Sequence, residues 1–515
     1  MKADKDLYRE LRNLPPEILW KEEVARFDRA SPKERNERVA VIRAVGVVFA
    51  AAGSARERAD VKAWLLRLLD DPSEKIRRYA MAAIPKLRGV EGAESTMISL
   101  LKRTTVERER RYVGRALDKI GGAATLEAVS GLLPQTELKV RASVARVERP
   151  SVVLMDRPLV QFDGLHIHLR CRKGLESFVR EELEELHAKR KQFALVEVRG
   201  RHVAVRPTAP FTLGDLYQLR CFATIGFSIG AVKRDGAAGA LSADTVDRMA
   251  AAITSPLSRR ILNAFTEGAL RYRLQFDSRS HQRGVVRQLA TRAYALCPEL
   301  LNDPRRAPWS VDIYELPQAT YLELRPRLHP DPRFRYRLDD VPAASHPPLA
   351  ACMARLAGRE EGDVVWDPFC GSGLELIERA LRGGVKTLIG SDVSPEAIEI
   401  ARANVNAAAL GGVASRWVCG DFRDALTEAG AELSPGRVTL VISNPPMGRR
   451  VRIPDMRALY ETFFAVAARA LAPGGRLVFP NPLRLAPKDP SLRLEFRQAV
   501  DLGGFTCALE KYRKL

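Results

Sequence analysis

Val364-Val365-Trp366-Asp367-Pro368-Phe369-Cys370-Gly371-Ser372-Gly373 is the stretch of this 515-residue chain that decides its fold. An apolar run ends on an acid, and a Pro- and Gly-containing turn then opens a helix over residues 374–381. Three later runs end in the same way. Residues 387–391 lead into Asp392, residues 417–420 into Asp421, and residues 438–443 into Asn444-Pro445-Pro446-Met447-Gly448. Asp367, Asp392, Asp421 and Asn444 are spaced by 25, 29 and 23 residues. Each interval has room for one helix, and a second helix is legible at 395–410 with Pro395 in its first turn. That is the rhythm of βα units in a mostly parallel, Rossmann-like sheet over residues 345–515.

In such sheets ligands bind beyond the carboxyl ends of the strands, where the four turns converge. Gly371 and Gly373 let backbone pass close to a ligand without a Cβ in the way. A Gly-x-Gly after a strand is a weak signal alone, and a nicotinamide-binding fingerprint would place glycine at 376, where this chain has Leu. Asp-Pro-Phe-Cys-Gly-Ser-Gly, the two later acids and Asn-Pro-Pro, taken together, resemble the class I S-adenosylmethionine methyltransferases. The resemblance implies S-adenosyl-L-methionine as cofactor and no metal. It places Asp367, Pro368, Phe369, Gly371, Ser372 and Gly373 in the cofactor loop, with Asp367 accepting from the amino-acid moiety or orienting the loop. Asp392 is expected to accept from two ribose hydroxyls. Asp421 and Phe422 are expected to recognise and cover the adenine.

Asn444-Pro445-Pro446-Met447 is the expected catalytic motif, with Asn444 also beside the cofactor. An exocyclic base amine is a poor nucleophile because its lone pair is conjugated with the ring. The Asn444 side-chain oxygen and the Pro445 carbonyl together form an acceptor pair for its protons, and the prolines stiffen the loop that presents them. The motif serves three acceptors: guanine N2, adenine N6 and a protein glutamine amide. Two departures from the family pattern stand out, the first bearing on the substrate and the second on the edge of the sheet. Met447 stands where the family usually has Tyr or Phe to stack on the base, and a thioether contact of about 0.3–1.5 kcal/mol replaces a stack of roughly 1–3 kcal/mol. The C-terminus also reads as short, with a helix near 492–500 and a single strand at 505–512. Arg449, Arg450 and Arg452 follow, either to meet a phosphate beside the target nucleotide or as a solvated basic loop.

Outward from this domain, residues 160–337 begin with an alternating strand at 166–172. A helix at 173–186 and strands at 194–198 and 202–205 follow, and then a helix capped by Thr212. Arg170-Cys171-Arg172-Lys173-Gly174-Leu175-Glu176 and Leu216-Tyr217-Gln218-Leu219-Arg220 resemble a THUMP module with its ferredoxin-like partner, which is found in enzymes that modify structured RNA. Arg271-Tyr272-Arg273 and Arg333-Phe334-Arg335-Tyr336-Arg337 interleave cations with rings, a pattern that serves either phosphate contact with base stacking or arginines laid along core aromatics. Residues 342–351 resemble the segment joining the two modules, with a helix at 349–357 over the methionine end of the cofactor. Residues 148–158 read as a linker between two prolines.

Residues 1–148 read as helices in which Arg-Arg-Tyr recurs after 33 residues, at 77–79 and 110–112, with a weaker copy from Glu37. This resembles HEAT-like repeats, in which stacked neighbours bury faces that one helix pair cannot. The fold class is thus multidomain α and α/β: helical HEAT-like repeats, a central α+β ferredoxin-like/THUMP module and a C-terminal Rossmann-like methyltransferase. The order of modules resembles enzymes that make N2-methylguanosine in tRNA or rRNA.

Composition agrees with that reading. Lys and Arg number 83 against 63 acids, a formal charge of +20, which favours a polyanionic partner such as structured RNA. The repeats offer a further surface for protein or RNA. Seven cysteines without a C-x-x-C pair argue against a zinc ribbon or disulfide framework and for reduced thiols in a cytoplasmic protein. No signal core is present, and residues 39–53, the longest apolar run, are too short to span a bilayer and read as a buried helix. The reading from a different class is a HEAT-repeat RNA-binding scaffold with an inactive methyltransferase domain.

Overall fold

The computed structural model describes residues 2–515 except 88–91, 135, 138–139, 141–150, 234–240, 278–282, 317, 343, 429–432 and 449–452. It divides into two compact units, Met1–Pro150 and Ser151–Leu515. No helix among the described residues is long and apolar enough to cross a membrane.

The first unit is helical. The apolar run becomes the helix Ala40–Ala52, whose Val41, Ile42, Val45 and Phe49 are buried with Trp64, Leu65 and Met81. Ser31 with Glu34 and Ser54 with Glu57 form capping boxes that satisfy helix-start N–H groups. The recurring Arg-Arg-Tyr falls on Glu74–Ala83 and Glu107–Ile120, which touch. Arg77 of the first pairs with Glu109 of the second, and Arg78 lies 5.2 Å from the Tyr112 ring.

Among the described residues the second unit holds two large sheets and one two-stranded ribbon. The first has eight strands in the order Phe193–Arg199, His202–Pro207, Ile167–Arg170, Thr224–Lys233, Ala319–Pro326, Trp309–Glu315, Arg271–Phe276, Leu301–Asn302. It is antiparallel except where Arg271–Phe276 meets its two neighbours. Part of the expected linker is structured: Ser151–Val153 pairs with Thr266–Gly268, and Val153 is buried, while 148–150 lie outside the described residues. Of the two readings of the Arg-aromatic stretches, core packing is the one observed for Arg271, Tyr272, Arg333, Phe334 and Tyr336, all of which are buried. Arg333 donates to the Phe222 carbonyl at 2.7 Å, pairs with Asp331 and lies 4.0 Å from the Phe222 ring. Each of its fork donors therefore serves the chain itself.

The second sheet has seven strands in the order Ala414–Cys419, Val385–Asp392, Asp363–Asp367, Val438–Ile442, Leu471–Asn481, Thr506–Lys514, Leu492–Asp501. The first five are parallel, and the last two form an antiparallel hairpin. This corrects the expectation of a helix near 492–500 and a short C-terminus. Leu492, Leu494 and Phe496 alternate with charged residues at the strand period of two, and Asp501 accepts the N–H groups of Gly503 and Gly504 to close the turn. Neighbouring residues split between two cores, as the pleat requires. Val365, Leu388, Leu440 and Val478 join one, while Trp366, Ile389, Val441 and Leu477 join the other.

The first of these cores is continuous with that of the eight-stranded sheet. The helix Pro347–Ala357 explains why: Leu349, Ala350, Cys352, Met353, Ala354 and Ala357 are all buried, so it is apolar on every side and packs both ways. Ion pairs join the same two layers, Arg220 to Glu378 at 2.7 Å and Arg355 to Glu185 at 2.6 Å.

Candidate active site

At the carboxyl ends of the parallel strands lies a cavity of about 710 Å³. Pro368, Phe369, Gly371, Ser372, Asp392, Asp421, Phe422, Asn444, Pro445, Pro446 and Met447 all line it. Asp367 and Gly373 sit behind the wall. The topology brings these residues together because each one ends a strand of the same parallel sheet.

Asp367 is fully buried. One carboxyl oxygen accepts from the Phe369 N–H at 3.0 Å and the Ser443 hydroxyl at 2.5 Å, tying the first-strand loop to the fourth strand. Burial, reinforced by nearby Glu375, pushes its pKa well above the carboxylate range. Its other oxygen is buried without a partner, so the geometry leaves both expected uses open, orienting the loop and accepting from the amino-acid moiety. Gly373 adopts φ +79° and approaches Ala401, so the packing of the next helix accounts for it.

Gly371 has φ +49°, which turns its N–H onto Asp392 at 3.0 Å. The other Asp392 oxygen accepts from the Ser394 N–H at 3.0 Å. Each oxygen keeps a second lone pair, so a vicinal diol still fits. Asp421 accepts from the Arg423 N–H at 2.9 Å and remains half-exposed. Phe422 packs on Phe369 at 4.8 Å, and Phe369 on Phe463 at 5.8 Å, giving the cavity an aromatic wall suited to a flat heterocycle. Carboxylates at two strand ends, a glycine turn and this wall match the diol, the backbone approach and the adenine of S-adenosylmethionine.

At the Asn-Pro-Pro turn, the Asn444 amide nitrogen donates to the Ser345 hydroxyl at 2.7 Å, and that hydroxyl donates to Glu375. The Asn444 side-chain oxygen is buried and has no partner. A buried acceptor left unpaired on a cavity wall has room for one ligand donor. Pro445 is buried, and the Tyr460 hydroxyl reaches the Pro446 carbonyl at 3.5 Å. Arg449, Arg450 and Arg452 lie outside the described residues.

Ser345 and His346 belong to the joining segment, expected beside the cofactor but given no individual role; the wall residues missed from sequence are Arg172, from the central module, and Leu502 and Phe505, from the C-terminal hairpin. Burial and the cations Arg172, Arg333 and Arg337 lower the His346 pKa to about 4, and its Nδ1 is buried without a partner. Glu375 was legible in principle, as one of two acids inside the apolar run Leu374-Glu375-Leu376-Ile377-Glu378. The other, Glu378, accepts from Arg220 and Tyr336.

Residues 334–486 match the family model described as the RMKL-like methyltransferase domain. A tRNA (guanine(10)-N2)-dimethyltransferase of Methanothermobacter thermautotrophicus is 29% identical over 143 residues, which are 27% of this chain and 39% of that protein. The enzyme of the same name from Methanocaldococcus jannaschii is 50% identical over 52 residues, 10% of this chain and 14% of that protein. The match thus spans less than half the length of either relative. The crystal structure of TrmN from Thermus thermophilus superposes with a TM-score of 0.51 at 23% identity, covering 68% of this chain and 100% of that one, and so shares the fold. The segment that carries the site is an S-adenosylmethionine-dependent methyltransferase domain.

Proposed function

We propose that this chain methylates an exocyclic base amine of structured RNA, with guanine N2 in tRNA as its acceptor. The observation that carries the reading is the buried, unpartnered side-chain oxygen of Asn444 on the cavity wall, held by Ser345. Asn444 and the Pro445 carbonyl accept the two amine protons and draw the nitrogen lone pair out of conjugation, toward the pyramidal geometry of attack. Bound S-adenosylmethionine supplies the methyl group: the N–CH3 bond forms as the S–CH3 bond breaks, leaving the electron pair on sulfur. The ammonium formed then loses a proton to water, so no strong base is needed in the chain. Asp392 and Asp421 hold the donor, Asp367 keeps the loop in place, and Met447 flanks the acceptor.

The relatives named as tRNA guanine-N2 enzymes and the net charge of +20 support RNA as partner. On this reading the eight-stranded module is THUMP-like and delivers the RNA, and the helical unit is a HEAT-like array that offers a surface of its own for RNA or protein. The test is transfer of labelled methyl from S-adenosylmethionine to undermodified RNA, DNA and protein, followed by nucleoside analysis. Label in N2-methylguanosine, abolished in Asn444→Ala, is expected. Label in N6-methyladenosine or glutamine overturns the acceptor, and no label in any pool turns the reading toward an RNA-binding scaffold.

A further inference from the structure

Asn444 can serve as an acceptor only if its oxygen, not its nitrogen, faces the incoming amine. The two atoms are nearly the same size, and a half-turn about the last side-chain bond exchanges them. Presenting the NH2 group to an exocyclic amine would set donor against donor. Something must therefore define the orientation, and the loop itself does not.

We propose that Ser345 and Glu375 are positioning residues that fix the side-chain amide of Asn444 with its oxygen toward the acceptor, an assignment that rests on the amine-methylating reading above. The chain of contacts has one direction. Burial raises the Glu375 pKa and the bond from the Ser345 hydroxyl opposes that rise; in the carboxylate form that this bond favours, Glu375 accepts only. The Ser345 hydroxyl spends its single proton on Glu375, so its oxygen must accept from its other neighbour. That neighbour is the Asn444 nitrogen at 2.7 Å, the atom able to donate. The oxygen of Asn444, a residue that lines the cavity, is then left buried and unpaired.

Both positioning groups are shielded from competing water, with Ser345 8% and Glu375 3% exposed. They come from separate elements. Ser345 lies just before the helix Pro347–Ala357, Glu375 lies in the helix Leu374–Ala380 that follows the glycine loop, and Asn444 ends the fourth strand. The two helices pack against one another. The orientation is therefore set by helix packing and not by the Asn-Pro-Pro turn. A motif with the right letters but without Ser345 and Glu375 would hold an asparagine free to rotate.

The experiment uses the full chain, labelled with 15N-asparagine and bound to S-adenosylhomocysteine, alongside methyl-transfer kinetics on undermodified tRNA. Asn444→Ala assigns the side-chain amide signals of Asn444. In the wild type these protons are expected to exchange slowly, and in Ser345→Ala they are expected to exchange at the solvent-exposed rate. Glu375→Gln, which is isosteric and can donate as well as accept, is expected to split the signals into two orientations. On the kinetic side Ser345→Ala lowers kcat by roughly tenfold, the cost of one lost hydrogen bond at the reacting group, with KM for tRNA unchanged. Ser345→Thr, which keeps the hydroxyl, restores both readouts. Amide signals identical in wild type, Ser345→Ala and Glu375→Gln overturn the proposal, as does Ser345→Ala with undiminished kcat. If the wild type transfers no methyl to any acceptor, the functional reading falls, while the amide signals still decide the orientation.

Discussion

Gly174→Ala tests whether the cavity wall is built jointly by the central module and the C-terminal hairpin. Gly174 has φ +94°, and a Cβ there would lie 2.0 Å from the Ala499 carbonyl oxygen and 2.9 Å from the Val500 Cα. The obstacle is backbone, fixed on both sides: the Asp501 N–H donates to the Lys173 carbonyl at 2.9 Å, and Gln498 donates to the Gly174 carbonyl at 2.6 Å. A left-handed conformation costs a non-glycine residue roughly 1–2 kcal/mol, and forced overpacking adds about 1–3 kcal/mol. Together they predict a loss of about 2–5 kcal/mol, or roughly 3–6 °C in the melting temperature of the Ser151–Leu515 unit. Relief requires the hairpin to retreat, and it carries Leu502 and Phe505 in the cavity wall, so KM for RNA should rise while cofactor affinity holds. The assay is calorimetry with isothermal titration of S-adenosylhomocysteine, and methyl-transfer kinetics for the KM of RNA. Gly411→Ala is the control, because its Cβ would meet nothing within 4 Å. A Gly174→Ala protein that melts with the wild type would refute the close approach and the shared wall with it.

Asp392→Ala removes the carboxylate that also holds the Gly371 N–H; hydrogen bonds to a charged group at about 1.5–3 kcal/mol predict cofactor binding weaker by roughly 10–100-fold in titration calorimetry, with the fold intact by circular dichroism. Met447→Phe exchanges a thioether contact for a stack, and single-turnover kinetics should show RNA held up to roughly tenfold more tightly. His346 has a folded pKa of about 4, below the ordinary histidine value of about 6.5, so the unfolded chain binds the extra proton. The stability tied to its neutral form is present above about pH 6.5 and lost as pH falls toward 4, by about 3 kcal/mol at most. In chemical denaturation between pH 4 and 7 the wild type should lose stability relative to His346→Gln toward the acid end, and parallel curves would refute the assignment.

Much of the site was legible because its residues sit at strand ends. Apolar runs of strand length, each closed by Asp367, Asp392, Asp421 or Asn444 and separated by one helix, imply a parallel sheet, and a parallel sheet gathers its carboxyl ends on one edge. The strand at 492–501 was hard to read because its register shifts between Leu494 and Phe496: Leu492 and Phe496 pack on different cores and Leu494 stays exposed, so no single apolar face runs its length. The Arg-aromatic stretches were undecided because an arginine that stacks on RNA and one that caps core carbonyls have the same neighbours in sequence; Arg333 is settled by Asp331 and the Phe222 carbonyl.

By itself the amino-acid sequence determined the parallel strand–helix rhythm, the order of loaded turns and the chemistry each turn can offer, since backbone period and residue type are local properties. Only the tertiary structure decided which groups meet across it. Glu375, Ser345 and Asn444 fall far apart in the chain yet form one hydrogen-bonded line, and Arg172 and Phe505, from opposite ends of the second unit, share a cavity wall. Such meetings depend on how the buried helix Pro347–Ala357 packs between two sheets, a balance of side-chain volumes that no periodicity along the chain records.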